Sequence, residues 1–143
     1  MALSADTPRA YDPAVEPIFI SVPVKASATI YEGSAVSDDS GGGIADPLAA
    51  GETFLGFAEE KVVNTVATNG AVNVKLRQQG IIKNLPVTGV SGVTDLGITV
   101  YALDSGTFTT SSSSSAVSIG KVVRYVGTGY ADVFFLAGAV RSI

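Results

Sequence analysis

Short apolar runs alternate with polar or glycine-rich breaks along most of the chain. VNVKLR (72–77) is the clearest case: Val72, Val74 and Leu76 fall on one face and Asn73, Lys75 and Arg77 on the other. Period-two alternation is the signature of a half-buried strand. IIKNLPV (81–87) continues that pattern after Gly80, which reads as an interruption. ASATIYEGSAV (26–36) predicts strand on both sides of a turn or bulge at Glu32-Gly33, and a short strand over 43–46 is stopped by Pro47. A helical turn at 93–96 precedes a strand at 98–103, and DSGTFTT (104–110) reads as a hairpin turn with its return strand. SIGKVVRYV (118–126), GTG (127–129) and YADVFFLA (130–137) form the clearest hairpin. SDDSGGG (37–43) and SSSSSAV (111–117) read as loops. No window shows a sustained 3.6-residue period with caps. These patterns predict an all-β fold, a small β-barrel or sandwich of about eight to ten short strands.

Residues 1–24 break this rhythm. Prolines at 8, 13, 17 and 23 exclude a helix, and exclude a paired central strand before residue 18. The division that follows is an extended N-terminal arm over 1–24 and a β-domain over 25–143. Between the prolines lie Tyr11, Val15, Ile18 and Phe19. A solvated tail is polar and charge-rich, so this composition predicts an arm that buries apolar side chains on a surface. The competing reading is a disordered terminus. Pro8, Tyr11, Pro13, Val15, Pro17, Ile18 and Phe19 are the candidate docking residues. At full extension some 20 residues span at most ~70 Å, enough to pass beyond one partner.

TFLGFAEEKV (53–62) poses the question of chemistry, because two glutamates follow an apolar run. In an extended strand, neighbours point to opposite faces. Phe54, Gly56, Ala58 and Glu60 would share one face and Leu55, Phe57, Glu59 and Lys61 the other. Glu59 and Glu60 then diverge and cannot grip one atom, and Glu59 pairs with Lys61 at the surface.

Composition narrows the chemistry further. The chain of 143 residues has no cysteine, histidine or tryptophan. Disulfides, thiolate metal sites, cysteine nucleophiles and every histidine-based triad or metal site are therefore excluded. Gly120-Lys121 is followed by Val122, and Ser115 stands where a phosphate-binding loop needs glycine. Gly127-Thr128-Gly129 precedes a strand, and Asp132 stands where a dinucleotide fingerprint needs glycine. Gly89-Val90-Ser91-Gly92-Val93 breaks the nucleophile-elbow pattern at its last position. Asp38 and Asp39 offer oxygen ligands, but their spacing does not match a calcium loop and they read as solvated. No enzyme activity, metal or cofactor is expected.

Nine Lys and Arg, scattered singly, and a net charge of −4 lack the basic footprint of a nucleic-acid binder. Mean hydropathy is +0.38. No run of about 18 apolar residues is present to span a membrane, and MALSADTPRAYD lacks the apolar core of a signal peptide. Charged residues make up only 15% of the chain. A charge-poor, apolar surface suggests cover by another chain, while a β-protein rich in Val, Ala and Gly is the plainer explanation.

Five pieces, in order, resemble one family: VKASATIYEGSAV (24–36), TFLGFAEEKV (53–62), VKLRQQGIIKNLPVTG (74–89), TDLGITVYALDSGTFT (94–109) and IGKVVRYVGTGYADVFF (119–135). Together they are similar to the small capsid decoration (cement) proteins of tailed phages, some of which carry a recombinase-like label. That label implies ATP binding, which the missing phosphate loop argues against. The resemblance implies a virion protein, made in the host cytoplasm and bound to the outer surface of an icosahedral head. It further implies a homotrimer that clamps neighbouring major capsid subunits. A carbohydrate- or host-surface-binding β-module is the alternative, and it predicts a groove lined by exposed tyrosine with Asn or Asp.

Overall fold

The computed structural model of the chain describes residues 2–39 and 42–137. Ser40 and Gly41 of the predicted glycine loop, and residues 138–143 of the predicted β-domain, lie outside the described residues. The fold is all-β. Its strands are β1 (Ile18–Pro23), β2 (Thr29–Ile30), β3 (Ala35–Asp38), β4 (Ala45–Pro47), β5 (Thr53–Ala58), β6 (Val62–Val63), β7 (Asn73–Pro86), β8 (Thr99–Ala102), β9 (Phe108–Thr109), β10 (Val117–Gly127) and β11 (Tyr130–Leu136). Eight of them run in the order β4-β3-β5-β7-β11-β10-β8-β9 and curl into an antiparallel half-barrel. β1 joins by pairing with β7, and β2 with β6 forms a separate two-stranded ladder. The helical turn expected at 93–96 is a single 3-10 turn, Val93–Asp95.

Two cores lie on opposite faces of the sheet. The larger gathers Phe54, Phe57, Ile82, Leu85, Val133 and Phe135 among others. The smaller gathers Val22, Ile30, Val36, Leu55, Val74 and Leu76. Adjacent residues of β3, Ala35 and Val36, therefore serve different cores. β5 is buried on both faces, which is why it reads as a continuous apolar run and not an alternating one.

Strict alternation places Phe54 and Phe57 on opposite faces, yet both enter the larger core. The cause is a bulge. One step in β3, Val36 to Ser37, spans two in β5, Gly56 to Phe54. Gly56 takes φ +136°, and a Cβ there would sit 2.4 Å from the Arg77 carbonyl oxygen. Only glycine permits both the backbone turn and the close approach of β5 to β7. The edges of the ring Phe54, Phe57 and Phe135 then interlock, with Phe57 and Phe135 centroids 4.9 Å apart.

β7 runs unbroken through Gly80, so the expected interruption does not occur. Gly80 lies under Phe135, whose ring would be 3.4 Å from an added Cβ, and the residue makes room for an aromatic side chain without ending the strand. A second bulge changes the phase of β7. Ile18 to Phe19 in β1 spans Gln79 to Arg77 in β7. Val74 and Leu76 consequently face the smaller core, whereas Ile82 faces the larger. The buried Gln78 amide donates to the Leu55 carbonyl at 3.4 Å.

The division at residue 24 cuts through this sheet. β1 contributes Val22 to the smaller core, with Ile20 packed against it, and pairs with β7 from Ile18 to Pro23. Ile18–Pro23 of this segment form a sheet strand, and a turn at residues 12–15 separates that strand from the isolated bridge at Tyr11. Two outcomes follow. Removing residues 2–22 should abolish cooperative urea unfolding, because it strips one edge of β7 and opens the smaller core. Gly56→Ala should lower the unfolding free energy by more than about 1 kcal/mol in the same measurement, since it forces strain at a left-handed φ and a backbone clash; an unchanged midpoint contradicts the bulge.

Candidate docking surface

The N-terminal segment is laid down on the chain's own body by a series of local contacts. The Leu3 amide donates to Ser105 Oγ at 3.0 Å, and the Thr7 amide to the Glu32 carbonyl at 2.8 Å. Arg9 Nε donates to the Gly33 carbonyl at 3.0 Å. The Asp12 amide donates to the Ile81 carbonyl at 2.9 Å, and the Lys83 amide to the Ala10 carbonyl at 2.8 Å, so Tyr11 bridges antiparallel to Ile82. Gly33, in the expected Glu32-Gly33 turn, adopts φ +84°, and any Cβ there would overlap the Thr7 carbonyl oxygen. The turn is glycine because the arm passes directly over it.

Arg77 is the hub of this surface. Its guanidinium lies 3.9 Å from the Tyr11 ring centroid and 5.0 Å from that of Phe19, and its Nη2 pairs with Glu59 Oε1 at 3.3 Å. Both charged partners are mostly shielded from water, which strengthens cation–π and ionic attraction alike. Tyr11 also packs on Phe135, centroids 6.0 Å apart. This resolves the question of the two glutamates. β5 ends at Ala58; Glu59 binds Arg77 and not Lys61; Glu60 is exposed. Lys61 instead lies 5.3 Å from the Tyr31 ring centroid.

The seven candidate residues therefore divide. Tyr11 is half-buried and turned inward; Val15 and Pro17 are half-buried; Pro8 and Pro13 are exposed. Ile18 and Phe19 remain 38% and 39% exposed although they begin a paired strand. Lys75 Nζ lies 4.4 Å from the Phe19 ring centroid. Ile18, Phe19, Lys75 and the edge of Arg77 thus make a fixed apolar and cationic surface. The sequence singled out Ile18 and Phe19 but missed Lys75 and Arg77. Their signal was present in the alternation of 72–77, which set both on the face away from the core, but the register with β1 was not legible.

Other exposed features lie elsewhere. Leu96, Ile98 and Val123 are exposed beside a groove of about 410 Å³ whose walls include Thr99, Lys121, Phe134 and Leu136. A second cleft, of about 300 Å³, holds Tyr130, Thr88 and Thr107 over Phe108. Asp39, Asp46 and Glu52 bring carboxylate oxygens within 4.8 Å of one another. Lys25 Nζ stands 3.6 Å from Asp39 and 3.7 Å from Asp46 and supplies counter-charge there. Asp38 Oδ1 accepts from the Gly43 and Ile44 amides, closing its loop. No protein-family model matches the chain, and no curated protein matches it.

The Tyr11 latch has a pH signature. Burial pushes its phenol well above the ordinary tyrosine range, reinforced by Glu59 and opposed by Arg77 and Arg9. A group raised in the folded state contributes stability that is complete below its unfolded value, about 10 for tyrosine, and lost as pH rises beyond it. Its hydroxyl has no hydrogen-bond partner among the described residues. Tyr11→Phe should therefore be neutral or slightly stabilising at pH 7 and should flatten the loss of stability as pH rises above about 10. Tyr11→Ala should cost about 2 kcal/mol in urea unfolding. A Tyr11→Phe protein as alkali-sensitive as the parent contradicts the latch.

Proposed function

We propose that the chain is a structural virion protein. It binds the outer surface of an icosahedral phage head and stabilises contacts between major capsid subunits. It acts as a homotrimer, without a cofactor and without direct contact to nucleic acid or membrane. It is made in the host cytoplasm and carried on the virion's outer capsid surface.

The observation that carries this reading is the exposed pair Ile18 and Phe19, held in place on a paired strand with Lys75 and Arg77 against the Phe19 ring. Apolar side chains kept in fixed positions lose little entropy on docking. Many identical modest contacts on a lattice add through multivalency. The five sequence pieces that resemble decoration proteins point the same way, as does a composition without histidine or cysteine. The arm changes role in this reading. It does not reach across subunit boundaries as a free strap; it braces β7 and presents its last apolar residues outward.

A saccharide-binding module is the second reading. It is favoured by Tyr130, 45% exposed in the cleft with Thr88 and Thr107, because sugars stack on aromatic faces and bond to hydroxyls.

Cosedimentation with purified heads tests the first reading. Phe19→Ser should leave the folded protein's Tm within a few degrees of the parent and lower its affinity for heads about tenfold or more. Parent protein that stays in the supernatant contradicts the proposal. Glycan-array binding that is lost in Tyr130→Ala would favour the second reading instead.

A further inference from the structure

β1 has one strand neighbour, and the geometry identifies which backbone groups face away from it. The Val24 amide donates to the Val72 carbonyl, and Ile20 and Val22 are in register with Leu76 and Val74. In an antiparallel pair, hydrogen-bonded and non-bonded positions alternate. Ile20, Val22 and Val24 therefore direct their N–H and C=O groups toward β7, and Phe19 and Ser21 direct theirs outward. Among the described residues that outer side is met only past the end of β1, where Ala45 of β4 bridges parallel to Val24 and its carbonyl accepts from the Lys25 amide; no strand meets Phe19 or Ser21, and Ser21 is exposed.

Natural sheets guard such an edge with charges, prolines or bulges. Here Pro17 and Pro23 border the stretch, but Ile18 to Val22 contains no charge and no proline. The open window is thus about five residues, or some 17 Å of strand. Above it lie Phe19 and Lys75. Lys75 is exposed and has no carboxylate within ion-pair distance among the described residues, in contrast to Arg77, which Glu59 neutralises. A strand added here would set its outward side chains beside an aromatic ring and a free ammonium group.

We infer that the outer edge of β1 is a strand-addition site for an extended, acidic segment of a partner chain. The incoming segment bonds through its backbone to Phe19 and Ser21 and places a carboxylate against Lys75. This rests on the proposed head-binding function and specifies its contact: the partner is a segment of the major capsid subunit, extended over about five residues and carrying Asp or Glu. Charge complementarity sets this partner apart from a second copy of the chain, which would bring its own Lys75 toward the first.

Ser21→Pro isolates the claim. The substitution removes an N–H that β7 does not use and places a ring on the open side. Ser21→Thr is the control. Cosedimentation with purified heads, together with Tm and light scattering of the free proteins, gives distinct outcomes. The inference expects Ser21→Pro to keep its Tm and oligomeric state and to bind heads about tenfold or more weakly. Lys75→Glu should also bind more weakly, with a defect that shrinks as salt is raised. Equal head binding by parent and Ser21→Pro overturns the inference and leaves the head-binding function standing. Failure of the parent to bind heads overturns both. A smaller oligomer in Ser21→Pro means that a second copy occupies the edge, and a lowered Tm means that the chain's own residues do; either result overturns the assignment to a partner.

Discussion

Two cores lean on one strand. β7 sends Val74 and Leu76 to the smaller core and Ile82 and Leu85 to the larger. Simple alternation cannot do this, so the strand must change phase along its length. The extra residue at Gln78 turns Ile82 away from Val74 and Leu76, and a second irregularity, where Leu85 to Ile82 in β7 spans only Ala131 to Val133 in β11, brings Leu85 to the same core as Ile82; the Gln78 amide satisfies the Leu55 carbonyl. The rest of the architecture follows from the need to keep β7 flanked. β1, β5 and β11 all pair with it, and the Tyr11 bridge adds a further contact at Ile82.

Arg77 stands at the point where these partners meet. A guanidinium half-sunk in a sheet needs charge and hydrogen-bond compensation. Glu59 provides the charge, and Tyr11 and Phe19 provide ring faces. Packing, electrostatics and chain course are thereby coupled: the arm lies where Arg77 needs an aromatic cover. Tyr11 is consumed in that role. Ile18 and Phe19, one hinge of prolines later, are left at the surface on a strand that cannot easily move. An adhesive site made this way is part of the body of the domain, and its stability is tied to the stability of β7.

Much of the fold was legible in the sequence. The β10–β11 hairpin, the alternation of 72–77, the Glu32-Gly33 turn and the strand stopped at Pro47 are governed by local chemistry. What was not legible depends on long-range register. Gly56 signals a bulge only once the Arg77 carbonyl is known to lie against it. Gly80 signals room for Phe135, a residue far along the chain. Glu59 was read with Lys61 because sequence proximity is visible, whereas its pairing with Arg77 requires the β5–β7 contact. The arm was the largest difference. Its prolines and apolar residues read as an extended docking segment, but nothing local distinguishes the chain's own β7 from a partner's surface.

The central claim is that the N-terminal segment is bound to β7 in the free protein with one side of β1 left open. Amide hydrogen exchange of the free protein measures this directly. The account predicts slow exchange at Asp12, Ile20, Val22 and Val24, approaching that of β7, and fast exchange at Phe19 and Ser21 between them. Uniformly fast exchange from residue 2 to residue 23 would mean a free arm and would contradict the account.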